Sequence, residues 1–260
     1  MSKRFEGKVA VVVGGAQGIG QATARRLAAD GAKTVIADIR QDLAGALAEE
    51  IERAGGVALA LRADLSDEAS LKQMFEQAKA TYGGVDMLAN IGYEANDQDL
   101  DVVSTAQSVW DRVFDVNFMG YVRCCRLAIP MIIERGGGAL TNTSSGVAFY
   151  AERVRTAYAT SKAAIAVLTR NIAVQYGPQG VRANCVAPGM IATDSVLAGM
   201  GSDRTAFAAA ERKVPLQRAG RPDELAAVVA FLLSEDASYL SGQTISIDGA
   251  RLAAGPAYNS

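Results

Sequence analysis

A chain of 260 residues that is 50% hydrophobic holds enough apolar material for one large core or two small ones, and its 26 basic and 28 acidic residues leave a formal charge of -2. That balance excludes the electrostatic footprint of a nucleic-acid binder or of a protein held to an anionic membrane. The absence of histidine removes Ser-His-Asp and Cys-His nucleophilic catalysis, histidine-ligated metals and the commonest general base.

Residues 8–13 form a β-branched run that ends in Gly14-Gly15-Ala16-Gln17-Gly18-Ile19-Gly20 and passes into a helical pattern over 21–32. Strand, glycine turn and helix make a phosphate-binding arrangement. Glycines adopt φ values closed to other residues and let the backbone approach a pyrophosphate, while free N–H groups and the helix dipole favour its charge. The candidate cofactor contacts in this turn are Gly14, Gln17, Gly18, Ile19 and Gly20. A second strand over 33–37 then delivers Asp38. A carboxylate there accepts both ribose hydroxyls of an adenosine and repels a 2′-phosphate, so NAD is expected rather than NADP. Arg40 is the one counter-signal, and solvated surface is its expected fate.

The alternation continues without a linker. Helical patterns over 43–54 and 68–82 enclose a strand over 57–63 that ends at Asp64-Leu65, and a strand over 85–90 follows. A long helix is expected over 108–134, a strand over 139–144, a helix over 156–176, a strand over 181–186, a helix over 222–233 and a strand over 244–248. Strands apolar on both sides, separated by ten to twenty helical residues, imply βαβ crossovers and a parallel sheet covered on both faces. The expected fold is a single doubly wound α/β domain spanning residues 1–260. Two segments read as irregular, 92–106 and 189–214. Each follows the C-terminal end of a strand, where ligands of open α/β sheets bind, so they are the candidate substrate loops.

The stretch from Ser144 to Lys162 carries the chemistry. Tyr158 and Lys162 are four apart on the 156–176 helix, so they share a face. A phenol is a poor base near neutral pH, and a fixed positive charge close by favours its phenolate. Ser145 follows a buried strand, and its hydroxyl could hold a substrate oxygen against the phenol. A tyrosine and a lysine at this spacing are also what a snorkelling surface pair looks like; the surrounding motifs give the pair its weight. Cys124, Cys125 and Cys185 lack zinc-ligand spacing, and buried thiols in a reducing compartment are expected, with no metal. No uninterrupted apolar stretch reaches the ~18 residues of a bilayer span, so the expectation is a cytoplasmic protein.

Taken together, Gly14-x-x-x-Gly18-x-Gly20, Asp38, Asp64, Asn90, Asn117, Ser145, Tyr158-x-x-x-Lys162 and Pro188-Gly189 resemble the short-chain dehydrogenase/reductase family over nearly the whole chain. The resemblance implies an NAD(P)-dependent oxidoreductase with a Rossmann-type sheet of seven parallel strands, commonly a homotetramer. It further implies that Tyr158 is the acid/base, that Lys162 binds the nicotinamide ribose and lowers the tyrosine pKa, and that Ser145 positions the substrate oxygen. Asn117 would support a water-linked proton relay. Asp64 and Leu65 would approach the adenine, Asn90 the adenosine ribose, and Ile191 and Thr193 the nicotinamide carboxamide beyond Pro188-Gly189. Bland roles exist for Asp64 as a helix cap, for Asn117 as a backbone tether and for Pro188-Gly189 as a turn.

Two positions depart from the family pattern. Val13 stands where the family usually has threonine, and its Asn-Asn-Ala-Gly segment is here Asn90-Ile91-Gly92-Tyr93, which suggests that the two sites were repacked apolarly together. The expected reaction interconverts a secondary alcohol and a ketone. Val147, Phe149, Tyr150, Met190, Val196, Leu197 and Met200 favour an apolar or aromatic substrate. A 3-ketoacyl-type reductase and a catalytically idle NAD-binding regulatory module are the alternatives. A homotetramer, or a dimer, is expected from the resemblance, with the tail 251–260 reaching a neighbouring subunit.

Overall fold

The computed structural model describes residues 3–199 and 204–254. Met200 and residues 255–260 of the tail lie outside the described residues. Seven strands, β1 (Val9–Val13), β2 (Lys33–Asp38), β3 (Val57–Arg62), β4 (Met87–Asn90), β5 (Gly138–Thr143), β6 (Val181–Pro188) and β7 (Thr244–Ile247), form one sheet. Its order is β3-β2-β1-β4-β5-β6-β7 and every pairing is parallel. This is the doubly wound, Rossmann-type architecture.

Helices α1 (Gly18–Ala29), α2 (Gln41–Arg53), α3 (Glu68–Tyr82), α4 (Gln107–Phe114), α5 (Gly120–Glu134), α6 (Thr156–Tyr176), α7 (Asp194–Gly199), α8 (Arg204–Arg212) and α9 (Pro222–Leu233) complete the described elements. Alternate strand residues point to opposite layers. Val11, Val13 and Val35 pack with Leu71, Phe75, Tyr121, Ile132 and Ile165 of α3, α5 and α6. Ala10, Val12 and Ile36 pack with Leu27, Leu47, Ile51, Val229 and Leu233 of α1, α2 and α9. Both sheet faces are therefore dry, as a parallel sheet requires.

Strand order reverses between β1 and β4, and the loops that leave these two strands meet there. The amides of Ile91 and Gly92 both donate to Val13 O, at 3.0 and 2.9 Å. A Cβ at Gly14, which has φ +75, would run into the Gly92 backbone. Two main chains pressed this close leave room only for glycine. Val13 and Ile91 fall in different core layers, and main-chain contact joins the two segments.

Three boundaries differ from expectation for physical reasons. Helix α1 begins at Gly18 rather than 21, because Gly18 and Gly20 belong to its first turn, where a Cβ on Gly20 would strike Gly14 O. The long helix runs over Gln107–Glu134 but contains a π turn, Asp115–Met119, between α4 and α5. Its length and apolarity would suffice to cross a bilayer; half of that window is buried inside the fold, which accounts for the composition. The 189–214 segment contains α7 and α8 instead of being irregular throughout. Its alanines are strong helix formers, and a reading based on small residues undervalued them.

Candidate active site

The C-terminal ends of β1, β2, β4, β5 and β6 open onto a cavity of ≈ 810 Å³. At one end lies the glycine turn. The Gln17 side chain makes no cap on α1, so the first amides of that helix, at Gly18, Ile19 and Gly20, face the cavity without a side-chain acceptor. Gly18, at φ +54, sits against Thr193, whose methyl would lie 3.2 Å from a Cβ there. Asp38 is buried at the end of β2; its Oδ2 accepts from Ala16 N at 3.0 Å and its Oδ1 from Arg40 N at 3.0 Å. Arg40 Nε stands 3.9 Å from the same carboxylate. Asp64 accepts from the Ser66 amide and hydroxyl. Burial would raise its pKa, but those bonds and the charges of Arg62 and Arg112 outweigh it and hold it below the usual carboxylate value.

At the other end, α6 begins one residue after Arg155 and carries Tyr158 in its first turn and Lys162 in its second. Helix α6 has no side-chain cap of its own. Asp99, buried in the loop after β4, supplies one from outside: its carboxylate accepts from Ala157 N at 3.0 Å and Tyr158 N at 2.8 Å. Ser144 Oγ donates to Lys162 O at 2.7 Å and ties the end of β5 to the same helix.

Lys162 is fully buried, and its Nζ donates to Thr143 O at 3.0 Å. Three phenol rings surround the ammonium, with centroids 5.6 Å away for Tyr93, 5.2 Å for Tyr121 and 5.7 Å for Tyr158. Burial pulls Lys162 down to about 7. The Tyr158 phenol is pushed up to about 12, first by burial and then by Tyr93, against the opposing pull of the Ser145 hydroxyl and of Arg155. In the protein alone, therefore, both groups lean to their neutral forms.

Residues 14–250 match a family model described as enoyl-(acyl carrier protein) reductase. A probable short-chain type dehydrogenase/reductase of Bradyrhizobium diazoefficiens is 42% identical, over 98% of this chain and 91% of its own. The chain belongs to the short-chain dehydrogenase/reductase family. A cis-4-hydroxycyclohexanecarboxylate dehydrogenase of Sinomonas cyclohexanicum is 38% identical, over 96% of this chain and 98% of its own. Among solved structures, that of gox2181 superposes with a TM-score of 0.92 at 29% identity, covering 97% of this chain and 98% of that one.

Short-chain dehydrogenases are oxidoreductases that bind a nicotinamide nucleotide, and the cavity fits one. A Cβ at Gly14 or Gly20 would strike the backbone of Gly92 or of Gly14, so only glycine lets the turn close this tightly at the cavity wall, and the uncapped amides of α1 are the donors a pyrophosphate needs. Of the residues singled out from sequence, Gly14, Gln17, Gly18, Ile19, Gly20, Asp38, Asp64, Leu65, Ser145, Tyr158, Lys162, Pro188, Gly189, Ile191 and Thr193 all line the cavity.

Two do not. Asn90 Nδ2 donates to Asn142 Oδ1 at 2.9 Å, and Asn142 Nδ2 to Thr169 Oγ1 at 3.0 Å. Register sets this, because Asn90 and Asn142 pair across β4 and β5 and share the layer beneath α5 and α6. The Asn90 side chain thus belongs to a buried polar ladder, not to a ribose site. Asn117, in the π turn, accepts from Glu94 N at 2.8 Å and donates to Glu94 O at 2.9 Å. These two bonds tether the loop after β4 to the π turn, the backbone-tether role set beside the relay for Asn117. Asp99, Tyr121, Glu152 and Arg155 were missed; only their positions in the folded chain mark them.

Proposed function

We propose that this chain is an NAD-dependent dehydrogenase that interconverts a secondary alcohol and a ketone, with an apolar, ring-sized substrate. The observation that carries this reading is that Ser145, Tyr158 and Lys162 line the same cavity as the glycine turn. The nucleotide, when bound, supplies a hydride acceptor at its nicotinamide ring. The protein's own part is to hold the alcohol oxygen between the Ser145 hydroxyl and the Tyr158 phenol and to take its proton on the phenol oxygen. Lys162, one helical turn further on, would hold the nicotinamide ribose. Val147, Tyr150, Met190, Val196 and Val214 wall the space beyond, and their apolar character supports a substrate like the cyclic alcohol of the Sinomonas relative.

Asp38 supports NAD over NADP, since its buried carboxylate stands at the end of β2 where a 2′-phosphate would be repelled. Buried, unbridged Cys124, Cys125 and Cys185 suit a reducing, cytoplasmic setting. Exposed Val167 and Val174, seven apart on α6, supply the apolar stripe for the homotetramer we also propose.

The test is Tyr158→Phe assayed with NAD and a panel of cyclic and linear secondary alcohols. We expect kcat to fall by about 10²–10⁴, the usual worth of a general acid/base, with NADH affinity retained. Turnover equal to wild type in that variant would make the tyrosine structural and end the reading.

A further inference from the structure

The groups that flank the Tyr158 ring are not equivalent. Lys162 is fully buried, bonded to Thr143 O and held near neutrality in its titration. Arg155 also lies over this ring, with its guanidinium carbon 5.2 Å from the centroid. A guanidinium stays charged throughout the working pH range and favours an aromatic face.

Arg155 is placed there at a cost. It is one of three described non-glycine residues with positive φ, at 65°, a region that a long side chain rarely enters. Local contacts hold it there. Its backbone N–H donates to Asp99 O at 2.8 Å, the same aspartate whose carboxylate caps the first turn of α6. Its Nε and Nη2 both donate to Glu152 Oε2, at 3.0 and 2.7 Å. Both Arg155 and Glu152 line the cavity.

We propose that Arg155 is a second positioning residue for Tyr158, a permanent cation that favours the phenolate during alcohol oxidation, with Glu152 fixing its place and moderating its charge. The proposal rests on the reading of Tyr158 as the proton acceptor. The other groups facing the phenol are Tyr93 after β4, whose ring centroid is 6.0 Å away, Tyr121 on α5, and Ser145 and Lys162. Asp99 is engaged with backbone amides at the start of α6. Within this shell, burial lowers the Lys162 ammonium to about 7, whereas the Arg155 guanidinium stays charged across the whole working pH range. The device also gives the phenol a charge that is present before nucleotide or substrate arrives.

The experiment is the pH dependence of kcat/KM for NAD-linked oxidation of cyclohexanol by wild type, Arg155→Gln, Arg155→Lys, Glu152→Gln and Tyr158→Phe. Loss of the cation in Arg155→Gln should raise the apparent pKa of the acid limb by about one unit, the lower end of the effect of a charge at this range. Arg155→Lys should restore most of the shift, and Glu152→Gln should move the limb the opposite way. A uniform loss of kcat/KM in Arg155→Gln, with the limb unmoved, would overturn the proposal and leave Arg155 a packing residue. Should Arg155→Gln fail to fold, the Glu152→Gln and Arg155→Lys profiles decide alone: unmoved limbs in both overturn it. An active Tyr158→Phe would instead remove the reading beneath it, and the two failures are told apart by that one variant.

Discussion

Asp38 shows how much one carboxylate can hold. One oxygen fixes the Ala16 amide and so the shape of the glycine turn; the other fixes Arg40 N, which opens the next helix. The charge to which we assign the choice between NAD and NADP would thus also be a brace. Asp38→Ser removes the repulsion and leaves Arg40 free to meet a phosphate. The expected outcome is that the ratio of kcat/KM for NADP to that for NAD rises about 10–100-fold, with stability lowered by about 1 kcal/mol for the lost acceptors. Steady-state kinetics with both cofactors measure it, and an unchanged ratio would show that selectivity lies elsewhere. The position of Asp38 at the end of β2 and in the cavity wall was legible in the sequence, because it follows from residue type and distance beyond a glycine turn. Arg155 was not. Its role depends on a left-handed backbone step and on a loop that docks from some sixty residues earlier, and neither leaves a periodic trace.

At the scale of elements, the loop between β4 and α4 is a brace as well as a cavity wall. Asn117 grips it at Glu94 from the π turn, and through Asp99 it caps α6. The first turn of α6 holds Tyr158, so the cap fixes the phenol as much as it fixes the helix. Asp99→Ala should cost about 1–2 kcal/mol, the range for a lost N-cap, and should lower kcat more than it changes KM for the nucleotide. Urea unfolding together with steady-state rates checks both halves; a stability loss with kcat intact would mean that Tyr158 is held by other contacts. The ends of α3, α6 and α9 could be read directly from apolar periodicity and from Pro222. Capping by Asp99 could not, because a cap supplied from 58 residues away looks in sequence like one more acid in a polar loop.

The whole molecule was legible as alternation: strands apolar on both sides and separated by helices permit only a parallel sheet wrapped on both faces. Depth within that sheet was less so, as Asn90 shows; a family motif gives the strand end, while register decides which layer the side chain enters. Depth also sets how the nucleotide-free protein responds to pH. Lys162 falls from its usual 10.5 to about 7 through burial, so between those values the unfolded chain binds a proton that the folded chain does not, and stability rises with pH. Burial acts oppositely on acids that are neutral when protonated. Cys185 and Cys125 rise from 9.0 to about 11 and about 12, and Tyr158 rises from 10.0 to about 12. From pH 9 upward the folded chain keeps protons that the unfolded chain has lost, and stability falls. Denaturant unfolding of the nucleotide-free protein should therefore give a midpoint that climbs from pH 7 to a maximum near 9 and then declines. In Lys162→Met the climb should vanish while the decline persists. A variant that kept the same climb would place the titrating group elsewhere and would show that the ammonium is not as deeply desolvated as its three surrounding rings imply.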